Sequence, residues 1–233
     1  MSGPIEAVVF DVGKVLVQWE RDLPFRSLIA DPADRDWFMN TVIPIEWHGE
    51  HDAGRDAEEM IAARSAEYPD HAHLIRAWLD RFNETVPGPV PGSVELVEAL
   101  DAAGVPLYAI TNFGADTWAG FAPTFPLFER FRDIVVSGVE KLAKPDPAIY
   151  AHAEARFGLP AGAMLFIDDS LPNIESARAR GWHGHHFLHA EGLRADFKSA
   201  GCWADLAHTK TRRHKGVPVA AGGPFKLLDP VKP

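Results

Sequence analysis

Cysteine is almost absent. Cys202 is the single cysteine among 233 residues, which excludes an internal disulfide and fits a reducing compartment. No apolar run approaches the roughly 18 to 20 residues that a membrane span needs. The opening MSGPIEAVVF lacks the basic segment and cleavage site of a secretory signal. Positive charge is also in deficit: Lys and Arg number 23 against 33 Asp and Glu, and the net charge of −10 argues against nonspecific nucleic-acid binding. No internal repeat is evident. A cytoplasmic protein is expected, with neither membrane nor nucleic acid among its partners; oligomeric state has no sequence signature.

What is present suits a folded chain with a substantial core, at 46% hydrophobic and 24% charged residues. Five short segments read as strands buried on both faces, most of them with β-branched residues: IEAVVFD (5–11), PLYAITN (106–112), DIVVSG (133–138), AMLFIDD (163–169) and HGHHFL (183–188). Helical patterns closed by glycine fall at SVELVEALDAAG (93–104), DPAIYAHAEARFG (146–158) and LPNIESARARG (171–181). Strands alternating with helices imply a doubly wound parallel α/β sheet with right-handed crossovers. Residues 19–87 break that alternation with stretches such as DRDWFMNTVI and RDAEEMIAARSAEY, and return through the proline-rich VPGPVPG (86–92). The expected organisation is therefore a core of residues 1–18 and 88–204, a small helical cap insert at 19–87, and a basic tail at 205–233. That tail holds six Lys/Arg against two Asp/Glu, leaving about −14 on the remainder; it reads as a solvated or surface-wrapping segment.

In an open parallel sheet, ligands bind outside the carboxyl ends of the strands. The predicted strand ends carry Asp11, then Thr111 and Asn112, then Asp168 and Asp169, and Lys144 follows a fourth strand just before a helix. Taken singly, Asp11 reads as the start of a turn. Three carboxylates gathered at one edge, however, repel unless a cation lies between them, and hard oxygen donors with room for water suit Mg2+. A carboxylate nucleophile, a divalent cation, a lysine, a threonine hydroxyl and an asparagine amide together make a phosphoryl-transfer site.

The motifs VVFDVGKVLV, AITNF, EKLAKPDPAIY and LFIDDSLPNIESAR, in that order from residue 5 to about 188, resemble those of the haloacid dehalogenase superfamily, most of whose members are phosphatases. The insert between the first and second motifs is where that family places its helical cap. The resemblance implies that Asp11 is a nucleophile forming an aspartyl-phosphate and a metal ligand. It implies that Thr111 and the backbone of Asn112 hold phosphate, and that Lys144 neutralises the nucleophile and the transferring group. Asp169 becomes the main metal carboxylate, and Asp168 a second ligand or the anchor of a metal-bound water. The implied cofactor is Mg2+ and the implied partner a small phosphorylated substrate, with sugar phosphates among the candidates.

One position departs from the pattern. Phosphatases of this family usually carry a second Asp two residues after the nucleophile, which protonates the leaving alcohol and then activates water; here that position is Gly13. Its main-chain carbonyl can still meet the metal, but general acid–base help, typically about 10² to 10⁴-fold, is missing. Three readings follow. The first is a phosphatase with another proton source, with Lys14 weighed as a substitute acid against a structural role. The second is a 2-haloacid dehalogenase using Asp11 on carbon, against which the paired Asp168 and Asp169 speak. The third is a binding or regulatory protein that keeps the fold. Within the insert, Trp47, His48 and Arg55 of WHGEHDAGR are candidates for facing the site, or else for linking two helices. The histidines of HGHHFLH (183–189) lack partners spaced for zinc. Tyr150 is expected to pack near Lys144, and Cys202 has no base around it.

Overall fold

In the computed structural model the described residues are 5–199; the expected basic tail and Cys202 lie outside them. The strands are β1 (Ala7–Phe10), β2 (Leu107–Thr111), β3 (Asp133–Val136), β4 (Met164–Asp168) and β5 (His183–His186). They pair in the order β3-β2-β1-β4-β5, and every pairing is parallel. All residues of β1 and β2 are buried, which is why they read as continuous apolar runs rather than as alternating ones. Alternation survives in which layer each residue enters. Val8 and Phe10 join one apolar cluster with Leu96, Leu100 and Phe131, while Ala7 and Val9 join the opposite one with Ile149, Tyr150 and Phe166.

Between β1 and β2 the chain forms α1 (Pro32–Trp37), α2 (Ile45–Asp52), α3 (Ala57–Glu67) and α4 (Ala72–Asp80). Local chemistry starts two of them. Asp31 caps α1 by accepting from the N–H groups of Ala33 and Asp34, with Pro32 in the first turn, and Asp56 caps α3 through Glu59 N–H. The apolar residues of this insert make a third cluster of their own, which includes Phe25, Phe38, Met60, Ile75 and the Trp47–Trp78 pair. The chain leaves and re-enters the sheet layer along one paired path: Gln18 N–H donates to Gly88 O, Glu20 N–H to Thr85 O, and Val90 N–H to Leu16 O.

The remaining helices are α5 (Ser93–Ala102), α6 (Ala115–Phe121), α7 (Ser137–Glu140), α8 (Pro147–Phe157), α9 (Leu171–Ala179) and α10 (Ala190–Ser199). Leu96, Leu100 and Leu193 place α5 and α10 on one face of the sheet, and Ile149, Ala153 and Ile174 place α8 and α9 on the other. After β1 the chain steps outward to β2 and β3, then crosses back to β4 on the other side of β1. The strand order therefore reverses between β1 and β4, and the residues just beyond their carboxyl ends flank the crevice that such a reversal opens. No helix among the described residues is long and apolar enough to cross a membrane.

Candidate active site

Asp11 continues directly from β1, its N–H still on the ladder to Ile167 O at 2.8 Å. Its carboxylate meets Lys144: Nζ lies 2.7 Å from Asp11 Oδ1 and 2.8 Å from Asp168 Oδ2, and donates to Ile110 O at 3.0 Å. All three ammonium protons thus have acceptors. Lys144 sits in the loop between α7 and α8, and a side chain from the end of β2 holds that loop: Asn112 Nδ2 donates to Lys144 O at 2.9 Å, and Lys144 N–H donates to Asn112 Oδ1 at 2.8 Å. Asp168 is fixed from behind. It accepts from Ser170 N–H at 2.8 Å and from Asn173 Nδ2 at 3.0 Å, and Tyr150 Oη donates to Asn173 O at 2.9 Å. A chain of buried hydrogen bonds therefore runs from Tyr150 to Asn173, Asp168, Lys144 and Asp11.

The charge balance is lopsided. Burial raises the pKa of Asp11 against the pull of Lys144, and Asp168 and Asp169 push it further up. Burial alone would lower that of Lys144, but Asp11 and Asp168 outweigh it and the ammonium is held more firmly than usual. Asp169 is raised by burial and then by Asp168, with Lys14 and Lys144 opposing. Oxygen atoms of Asp11, Asp168 and Asp169 all lie within 4.8 Å of one another. One ammonium among three carboxylates leaves a deficit of positive charge. The donor set is hard oxygen throughout, which fits a magnesium-like cation. Because Asp168 already serves Lys144, Ser170 and Asn173, Asp11 and Asp169 are the better-placed donors.

Thr111 ends β2 and is 1% exposed, beside the Ile110 carbonyl that Lys144 meets. Asn112 differs from its simplest expectation: its side-chain amide is committed to Lys144, which leaves its backbone for a ligand. Gly13 lies two residues past Asp11 in a loop where a Cβ would meet nothing within 4 Å, and Lys14 beside it is left-handed at φ 59° with Nζ 5.7 Å from the Trp19 ring. The stretch 47–55 is mostly helix, not linker. Trp47 is buried in the insert's cluster, Arg55 is half-exposed and paired with Glu50, and His48 faces Asp52 at 3.5 Å. The rings of His183 and His186 meet the backbone carbonyls of Gly162 and Asp169. Asn173, Ser137 and Asp52 escaped the sequence reading. Asn173 had a signal, since it lies five residues past Asp168 in the first turn of the next helix; Asp52 lies in the polar stretch 47–55 that was a candidate for facing the site but was not itself named, and Ser137 had no signal.

A parallel sheet with a lysine-neutralised carboxylate at its switch point is an arrangement that hydrolytic enzymes use. The haloacid dehalogenase-like hydrolase model matches residues 5–181, and the chain belongs to that family. Among curated proteins it is similar to the sesquiterpene phosphatase astK of Aspergillus oryzae, 24% identical over 80% of this chain and 91% of that protein. It is also similar to a phosphoglycolate phosphatase of Mesorhizobium japonicum, 28% identical over 78% of this chain and 81% of that protein. Among solved structures, a HAD family enzyme from Bacteroides thetaiotaomicron superposes with a TM-score of 0.67 at 19% identity, covering 84% of this chain and 99% of that one. The same enzyme is known in complex with magnesium and inorganic phosphate.

Proposed function

We propose that the protein is a phosphomonoester hydrolase of the cytoplasm that acts on a small phosphorylated metabolite, with sugar phosphates among the candidates, through an aspartyl-phosphate on Asp11. The observation that carries this reading is the Lys144 ammonium shared between Asp11 and Asp168, with Asp169 in reach of the same point. Relatives whose names describe phosphatases support it.

In this reading Asp11 attacks phosphorus in line, and Lys144 holds the carboxylate oriented and spreads charge as the bond forms. The lysine acts as a fixed charge, since its protons are taken up by protein oxygens. Thr111 and the main chain of Asn112 hold phosphate oxygens, while the Asn112 side chain keeps Lys144 in place. Asp11, Asp169 and the carbonyl of Gly13 would hold Mg2+, with Asp168 supporting from behind; the ion would supply charge neutralisation at the phosphoryl oxygens. Residues 19–87 act as a cap that excludes water and selects the substrate over a core of residues 1–18 and 88–204.

The test is phosphate release from a panel of sugar phosphates and other small esters, with Mg2+ and with excess chelator, beside a 2-chloropropionate control. Phosphate release that needs Mg2+ and is lost in Asp11→Asn is expected. Halide release without metal would replace this reading with carbon chemistry.

A further inference from the structure

The phosphatase reading leaves the leaving alcohol without a proton, because Gly13 has no side chain. The insert brings a carboxyl group within the influence of Lys144. Asp52 is the last residue of α2, its side chain 14% exposed, and three contacts hold it. Its carbonyl accepts from Ser137 Oγ, at the start of α7. Its carboxylate lies by Gly114 N–H, two residues beyond Asn112, and feels the charge of Lys144. On its own helix, His48 Nε2 lies 3.5 Å from Asp52 Oδ2. Trp78 Nε1–H donates to His48 Nδ1 at 3.0 Å, so a neutral His48 carries its proton on Nε2, facing Asp52. The ring of His48 also packs on Trp19, 5.3 Å away, whose other neighbour is Lys14 of the nucleophile loop. The end of α2 therefore abuts the segments after β2 and β3, and His48 reaches the nucleophile loop through Trp19.

We propose that Asp52 is the acid and base of the reaction, the proton carrier that replaces the missing side chain at residue 13; this rests on the phosphatase reading above. Asp11 Oδ attacks phosphorus, the bond from phosphorus to the leaving oxygen breaks, and that oxygen takes the proton of Asp52. Water then attacks the phosphorus of the aspartyl-phosphate, the bond to Asp11 breaks, and the proton of that water returns to Asp52. Free phosphate, the carboxylate of Asp11 and protonated Asp52 remain, so the cycle closes.

The charge environment suits the task. Burial pushes Asp52 up to about 7 against the opposing Gly114 N–H and Lys144, so it exchanges protons near neutrality. The titratable and charged groups around it are Lys144 from the core, His48 on its own helix, and Arg21 and His51 beyond His48. Burial, then Arg21 and His51, push His48 down to about 3, so His48 stays a neutral donor and adds no charge that would keep Asp52 ionised.

The experiment compares kcat/KM for p-nitrophenyl phosphate, whose leaving group needs no proton, with that for an alkyl phosphate, in the Mg2+-loaded enzyme. In Asp52→Asn the alkyl ester should lose about 10² to 10⁴-fold and the aryl ester much less, with the melting temperature showing an intact fold. The wild type offers a second measurement that needs no variant: its preference for aryl over alkyl esters should widen as pH passes 7. Equal losses on both esters, or a preference that stays flat with pH, would overturn the role of Asp52 and leave the phosphatase standing. A wild type that releases no phosphate from any ester removes the phosphatase reading itself.

Discussion

Gly13 and Asp52 are the two residues on which the chemistry turns, and each predicts a measurement. A Cβ at Gly13 meets nothing within 4 Å and the backbone there is not left-handed, so Gly13→Asp fits without strain. It is expected to leave the melting temperature within a few degrees and to restore alkyl-ester turnover to Asp52→Asn; no gain in that double variant would mean proton supply is not what Asp52 contributes. Asp52 also bears on stability. Its folded pKa, near 7, is above the ordinary carboxylate value of 3.8, so its contribution to folding is complete below about pH 4 and lost as pH rises through 7. Asp52→Asn cannot ionise, so that variant should melt above the wild type at pH 8, with the difference shrinking toward pH 4. A difference independent of pH would show that the buried charge is not the cause.

At the scale of elements, the strand ends were legible and the clamps between them were not. The β-branched runs 5–11, 106–112 and 163–169 became β1, β2 and β4, and the Asp-Pro and Leu-Pro starts became α8 and α9, because burial on both faces and local caps leave marks in sequence. Asn112 shows the other case. An amide after a strand reads equally as a ligand for phosphate or as a turn residue, and only the fold of the 141–146 loop shows that it bonds Lys144 at both N and O. Asn112→Ala leaves both backbone groups short of a partner. A loss of about 1–3 kcal/mol in stability is expected from denaturant melts, with a drop in kcat well beyond what that stability loss explains. Retention of full kcat would mean that Lys144 is held by its carboxylates alone. In the stretch 47–55 the sequence likewise left open whether its polar residues face the site or join helices; in the fold His48 and His51 are buried, with Trp78 and Asp116 as their hydrogen-bond partners.

In the whole molecule, function depends on how the insert seats on the sheet. Three close approaches set that seat. Ser137 Oγ bridges Phe113 N–H and Asp52 O. A Cβ on Gly54 would come within 2.9 Å of Lys141 Cγ and 3.1 Å of Gly138 O. One on Gly114 would fall 1.8 Å from His51 Cε1. Gly114→Ala has an acceptable backbone but no space, so the His51 ring and the end of α2 must shift. The expected cost is about 1–3 kcal/mol in stability, with a loss of kcat/KM on alkyl phosphates that exceeds the loss on p-nitrophenyl phosphate, since Asp52 moves with His51. Equal losses on the two esters would show that the seat matters only for binding.

The sequence by itself determined the parallel α/β core and the set of polar residues at its strand ends, because alternation, capping and strand-end chemistry are local and repeat along the chain. It also exposed a gap at residue 13. What fills that gap was decided only in three dimensions. Asp52 lies 41 positions from Asp11 in chain number, in a polar stretch whose sequence singles out no one carboxylate, and it becomes a proton carrier only because α2 packs its end against the loops after β2 and β3. A carboxyl group's acidity is set by the water it loses and the charges it meets, and both come from packing between distant segments.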